Sequence, residues 1–552
     1  MKKTSSQSLS FDLKNDDRFK SMKKKAESGD AHAQYYLGYA YLLIDAFESE
    51  RAKASEWFKK AADQGLAKAM DALAMLYFTG NTVAVDKAKA IKLFRKAAEQ
   101  GLPDAQYNLA TLYSEGNGVE LNLTEAFKLY KLAAKGNQAD AQVAVGEMYE
   151  TGEGVEADPV KAFHWFKKAG RQGHPDAQFH LGHIYERGQV VSVNHAASVQ
   201  WYKKAARNGL SYAQSFLAKK YALGEGVPVN QAKAFYWYQQ AARQDLTEAQ
   251  VALGIMYDCG RGVSVDHAKA ARMFKKAARQ GQPNAQLFLG QKYELGEGLP
   301  ENQTKAFYWY KKAARQGQSR AQFFLAKGYD FGEGLPENQA KAIYWYKKAA
   351  RQGEVFAQLM LGAKYESGVG VSVDQCKSEY WYKKAARQND PMANLSLGKF
   401  YEGKKQDPEI QAKAFKLFRN AAKQGLNEAH FFLALKYERG QGVAADQAKA
   451  LKHLKIAAQK DVGTAQTILA EKYYFGDGVP ANEAEANYWF EKVGCGEKSV
   501  GMYMLAELYA SPDLFTFDQD KAIFWLEKSA NFGFLLAKDR LVEVKKAALK
   551  NS

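Results

Sequence analysis

His180, His183 and Glu186 lie three residues apart, and Glu147 stands 36 residues before His183. Two histidines and a carboxylate on one helical face have a spacing that can ligate a divalent transition metal. No other part of the chain repeats the pair, and the residues equivalent to His180 are polar in some places and apolar in others. The histidines are therefore read as ordinary, partly exposed side chains, and no metal site is expected. The three cysteines, Cys259, Cys376 and Cys495, are scattered, so neither a Cys-based metal spacing nor a repeating disulfide exists. Each Gly-x-Gly recurs too often to be a phosphate loop, and no Ser/His/Asp or Cys/His set stands out. Neither a cofactor nor a catalytic role is expected.

Charge offers a second kind of chemistry. Arg171, Arg207, Arg243, Arg279, Arg315, Arg351 and Arg387 recur every 36 residues, accompanied by lysine pairs such as Lys311 and Lys312 and by Tyr236, Tyr308, Tyr344 and Tyr380. A basic row interleaved with aromatic rings can hold a polyanion, and the chain carries a formal net charge of +17. Basic residues near a helix C-terminus also favour the macrodipole and solubilise a surface, and no base-reading motif accompanies them. The solubilising reading is preferred.

What must position these groups is a repeat. Numbered with Ala33 as position 1, the chain runs through fourteen registers of 36 residues, from Ala33 to Leu536, without insertion or deletion. Position 9 is Tyr in every register, from Tyr41 to Tyr509, and all nine tryptophans stand at position 25. Ala, Leu and Tyr at positions 1, 5 and 9 share one face of a first helix. A small residue at position 6 (Gly182, Ala218, Gly290) admits a close neighbour. Glycines at positions 12 and 14 (Gly224, Gly226) end that helix and turn the chain, and Asp or Asn at position 18 caps a second. The second helix is expected to bury Ala306, Trp309, Tyr310 and Ala313, to expose Lys305, Tyr308, Lys312 and Arg315, and to stop at Gly317. Where that last glycine is missing, the substitutes are mostly Asn137, Asp245, Asn389 and Asp461, residues that tolerate the left-handed region; the exception is Glu497, which follows Gly496.

The predicted architecture is all-α: an α/α solenoid superhelix of about fourteen helix-turn-helix repeats with terminal capping helices. Residues 1–15 are read as a disordered tail, 16–32 as an N-terminal capping helix, 33–536 as the array, and 537–552 as a C-terminal capping helix and tail. The loop of the eleventh register, with Lys404, Lys405 and Pro408, breaks the pattern without breaking the period. No stretch reaches transmembrane length, and the N-terminus has no apolar run that could serve as a signal. A cytoplasmic protein is expected, with secretion by a route that leaves no such signal still compatible.

The run L-G-x-x-Y-x-x-G-x-G-V, as in Leu253 to Val263, followed by N-x-x-K-A-x-x-W-Y-x-K-A-A-x-x-G, as in Asn302 to Gly317, resembles the Sel-1-like repeat, a relative of the tetratricopeptide repeat. The resemblance spans roughly residues 16 to 545. It implies a right-handed superhelix, non-enzymatic assembly of protein complexes and, among bacterial members, roles in signalling, envelope processes or host interaction. If the repeats stack as in relatives, the first helices line a concave groove to which positions 3, 7 and 10 contribute. The candidate partner-binding residues are then Phe179, Leu287, Phe323 and Leu359 at position 3, His183, Lys219, Gln291 and Lys327 at position 7, and Glu186, Asp258, Glu294, Asp330, Glu366 and Glu402 at position 10. An apolar column beside an acidic one fits a peptide with apolar anchors and basic flanks; the competing local reading pairs Lys327 with Asp330. The alternative function places nucleic acid or another anionic polymer along Arg207, Arg243, Arg279, Arg315, Arg351 and Arg387.

Overall fold

The computed structural model describes residues 17–43, 48–403, 407–493, 495, 497–510 and 518–551. The tail expected at 1–15 lies outside the described residues, as do Lys404 and Lys405. Thirty α-helices follow one another among the described residues, with no strand. None of them is long and apolar enough to cross a membrane. The chain forms two compact units that meet in sequence at Gln280 and Gly281. The first runs from helix Asp17–Glu27 to helix His267–Arg279, the second from helix Pro283–Leu295 to helix Leu535–Asn551. Within each unit a helix packs chiefly against the helices before and after it in sequence.

The turn chemistry explains why each repeat has two helices and where they stop. Helix Ser211–Leu223 ends at Gly224, whose φ of 78° is left-handed. Gly226 follows at φ 75°, and a Cβ there would sit 2.3 Å from the backbone oxygen of His195 in the preceding repeat, so only glycine fits. Asn230 then does two jobs. Its N–H donates to the Tyr221 carbonyl at 2.8 Å, and its side chain accepts from Lys233 N to open helix Gln231–Arg243. In other repeats the cap also holds the lysine three residues on. Lys161 pairs with Asp158 at 2.7 Å and lies 5.5 Å from the Tyr149 ring centroid, which ties the capping pair to the invariant tyrosine. Asn137, Asp245, Asn389 and Asp461 all take positive φ, as their chemistry predicts. Proline at position 35 sits in the first turn of its helix at Pro103, Pro175, Pro283 and Pro391.

The core of each unit is a stack of small and aromatic residues. Alanines at position 1 and leucines at position 5, such as Ala213 and Leu217 or Ala321 and Leu325, are fully buried. The position 26 ring packs onto position 6: a Cβ on Gly182 would lie 2.5 Å from the Tyr202 ring. One expectation needs correction. Tyr310 and Phe307 are buried, but Trp309 and Trp345 are only partly so. Position 23 takes the core place assigned to tryptophan, because its rings face the next repeat's invariant tyrosine edge-on, as Phe127 does Tyr149 at 5.2 Å. Trp525, in the last full repeat, is wholly buried. Trp525→Ala should therefore cost about 3–5 kcal/mol of stability, and Trp345→Ala clearly less; urea denaturation of the two variants against the parent checks the order.

Candidate functional site on the first helices

Side chains that point inward fix how each first helix is rotated. The amide at position 2 is buried in most repeats and donates across to a carbonyl of the preceding second helix, Gln178 to Gly170 O at 3.2 Å and Gln358 to Ala350 O at 2.9 Å. The amide at position 32 donates to the position 2 oxygen and to the last turn of the preceding repeat. Asn208 reaches Gln178 Oε1 at 3.1 Å and Gly173 O at 3.0 Å, and Gln388 reaches Gln358 Oε1 at 3.0 Å and Gly353 O at 2.9 Å. Each amide satisfies a backbone oxygen that burial would otherwise leave without a partner.

Part of the acidic column expected at position 10 is paired with lysines at position 8, while Glu366 stays exposed. Lys220, at position 8, contacts Glu186 at 2.5 Å and Glu225 at 2.6 Å, with 3% of its side chain exposed. Burial disfavours its charge, yet the two carboxylates outweigh that and raise its pKa. In the second unit, Lys364 pairs with Asp330 at 2.6 Å with both side chains buried, and Lys436 pairs with Glu402. Asp330 also accepts from Tyr346 Oη at 3.1 Å. Glu294 accepts from Tyr310 at 2.5 Å, Glu366 from Tyr382 at 3.0 Å, and Asp258 lies 2.7 Å from His267 Nδ1. The local pairing of Lys327 with Asp330 does not form; Lys327 goes to Glu333 at 3.0 Å. The sequence signal was a lysine at a position that the other repeats fill with Leu, Met, Ile, Phe, Ala or Gly.

Position 3 also turns inward. Leu287 is buried, and Phe179, Phe323 and Leu359 are half-buried. Positions 36 and 11 are the most exposed on the first helices, and positions 4 and 7 stand between them on the same face. Of the expected columns position 7 lies on this face, with the exposed Lys219 and the half-buried His183, Gln291 and Lys327, and position 10 borders it, with Glu366 exposed. Chains of aromatic rings run from the core out to it in each unit. In the first, Phe179, His183 and Phe216 lie 4.8–5.3 Å apart, with Tyr212 and Leu223 exposed beside them. In the second, Phe356, Phe323, Phe324 and Tyr310 form a chain of rings at 5.9, 5.6 and 5.1 Å. Phe331 is 59% exposed at its edge.

His180 and His183 have different surroundings. His180 stacks on Phe166 at 4.3 Å and reaches Glu147 and Glu150 at 3.4 and 3.3 Å. Burial opposes its charge, but the two glutamates dominate and push its pKa up to about 9. His183 lies among aromatic rings, and burial lowers its pKa. Glu186 belongs to Tyr202 and Lys220. The three residues therefore do not converge on one point.

Another histidine pair went unnoticed because its members are 23 residues apart in sequence. His430 and His453 replace the amide of position 2 and the tryptophan of position 25 in one repeat, and their Nδ1 atoms lie 2.8 Å apart. Their ring centroids are 5.1 Å apart at an interplanar angle of 27°. Burial lowers both pKa values, aided at His453 by His430 and Lys452.

The arginines of the alternative reading, Arg207, Arg243, Arg279, Arg315, Arg351 and Arg387, are all exposed on the second helices. Lysines beside them lie over aromatic rings, Lys312 over Tyr308 and Trp309 at 4.9 and 5.2 Å and Lys204 over Trp201 at 4.2 Å.

Two measurements check these assignments. Lys364→Met leaves Asp330 buried without its cation and should cost about 3–5 kcal/mol, while Lys327→Met should stay within about 0.5 kcal/mol; denaturant titration compares them. The lowered pKa values of His430 and His453 mean that the unfolded chain binds more protons as pH falls below about 6.5. The pair's contribution to stability, present above that pH, should decline below it, against the opposite contribution of His180, whose raised pKa stabilises the fold as pH falls towards 6.5. Relative to the parent, His430→Gln should therefore gain in urea midpoint on going from pH 7.5 to 5.5.

The Sel1 repeat model matches fourteen segments, beginning with residues 31–66 and 67–102 and ending with 463–492 and 499–533. Among solved structures, the chain is similar to c5321, a protective antigen present in uropathogenic Escherichia coli strains displaying an SLR fold. The two share 34% identity at a TM-score of 0.70, over 80% of this chain and 93% of that one. A Sel1 repeat protein from Oxalobacter formigenes shares 32% identity over 56% of this chain and 89% of its own, at a TM-score of 0.45. No curated protein sequence matches the chain.

Proposed function

The chain belongs to the Sel1 repeat family, and we propose that it is a non-enzymatic scaffold holding partner proteins or peptides on the first-helix faces of its units. Exposed aromatic rings carry this reading. A soluble surface with Phe331, Phe356, Tyr212 and Leu223 about half exposed or more keeps apolar area in water that binding would remove. Inward positions 1, 5 and 9 hardly change from repeat to repeat, whereas the outward positions change freely, so one stack can present many different surfaces. Glu186, Asp330 and Glu402, carboxylates of the kind that serve as acids or bases, are tied to lysines. The three cysteines are free and exposed, which fits a reducing, cytoplasmic setting.

Affinity capture from the native lysate, with nuclease and high salt, tests the scaffold. Proteins retained by the parent should be retained by Tyr308→Ser with Tyr344→Ser and lost by Phe331→Ser with Phe356→Ser. Loss of every protein after nuclease or salt, or loss only in the Tyr308/Tyr344 variant, would contradict it.

A further inference from the structure

We infer that the first four first-helices of the second unit, between Pro283 and Glu402, form a docking face for an acidic amphipathic helix; this rests on the scaffold reading and names its partner's chemistry. The four outward positions of these helices carry Phe, Met and Leu with three cations and no carboxylate. That differs from the first unit, where Asp140, Asp176 and Glu248 stand at position 36. Phe324, Phe331, Phe356 and Met360 supply the apolar area, and flexible methionine lets the face adapt to its guest.

The sign of the partner's charge follows from which groups are already engaged. Of the carboxylates bordering the face, Asp330 and Glu402 are paired with Lys364 and Lys436, while Glu294 and the exposed Glu366 accept from Tyr310 and Tyr382 and keep their charge. Lys327 and Lys399 keep only surface pairs, with Glu333 at 3.0 Å and Glu428 at 2.5 Å. Such pairs contribute little and exchange readily for a better partner. Arg320 makes no ion pair among the described residues, and its exposed guanidinium stands one turn from Phe324. An incoming segment therefore meets apolar rings with one cation unpaired among the described residues, Arg320, and two lysines in exchangeable surface pairs. Carboxylates on the segment can pair with all three cations, which basic flanks cannot. Three steps of about 10 Å between neighbouring helices span about 30 Å, the length of a helix of about 20 residues.

A displayed library of random 20-residue peptides, selected on the full-length protein, provides the test. Selected peptides should combine Leu, Phe or Met at i, i+3 or i+4 and i+7 with an excess of Asp and Glu. Arg320→Glu should weaken a selected peptide at least ten-fold, and Phe331→Ser with Phe356→Ser should abolish binding without changing the circular dichroism, since both residues are exposed. Neutral or basic peptides that still need Phe331 and Phe356 would overturn the acidic partner while leaving the scaffold reading intact. Peptides indifferent to all three positions would overturn both. Heparin, run in parallel, should bind without regard to Phe331 and Phe356; dependence on those rings would assign the face to a polyanion instead.

Discussion

The buried amide at position 2 is the contact on which the rest of each unit depends. A helix packed on both sides must satisfy the carbonyls of the turn beneath it, and Gln178 or Gln358 does so while accepting from an amide that itself reaches the preceding repeat. This network leaves a first helix one rotation about its axis. Once position 2 points inward, positions 36, 4, 7 and 11 must point out. The apolar core supplies most of the stability, but it is non-directional; directed hydrogen bonds decide which side chains remain for a partner.

Buried ion pairs reinforce that choice. Lys220 with Glu186 and Lys364 with Asp330 link position 8 of one repeat to position 10 of the repeat before it. Taking two charges out of water is costly, and such a pair contributes more to register than to net stability. Here it also has a consequence for recognition. Asp330 and Glu402 are neutralised inside the stack, and the outward positions of the second unit's early helices carry apolar and cationic residues. Evolution of new surfaces is then simple in physical terms, because outward residues can change without touching the amide network, the caps or the invariant tyrosine.

Much of the fold was legible in the sequence because it is local. The left-handed glycines at Gly224 and Gly226, the capping Asn230 and the positive-φ Asn137 follow from backbone chemistry alone. Long-range facts were harder. Trp309 and Tyr310 both look like core residues, and only packing decides that Phe307 and Tyr310 go in while Trp309 stays half out. The candidate face was rotated from the observed one by roughly 60°, since positions 3, 7 and 10 form as good a helical stripe as 36, 4, 7 and 11 at 100° per residue. Apolar variation at position 3 reads as anchors for a ligand when it is core in Leu287. The meeting of His430 with His453 depends on which helices are neighbours and could not be read from spacing.

Hydroxyl-radical footprinting of the protein with a captured partner bound would test the orientation of this surface most directly, because Phe, Tyr and Met side chains report their own solvent exposure. The account predicts protection of Phe331, Phe356, Met360 and Met392, with Tyr308, Tyr344 and Tyr380 labelled as in the free protein. Protection of the three tyrosines, with the phenylalanines and methionines unchanged, would contradict it and move the binding surface to the second helices.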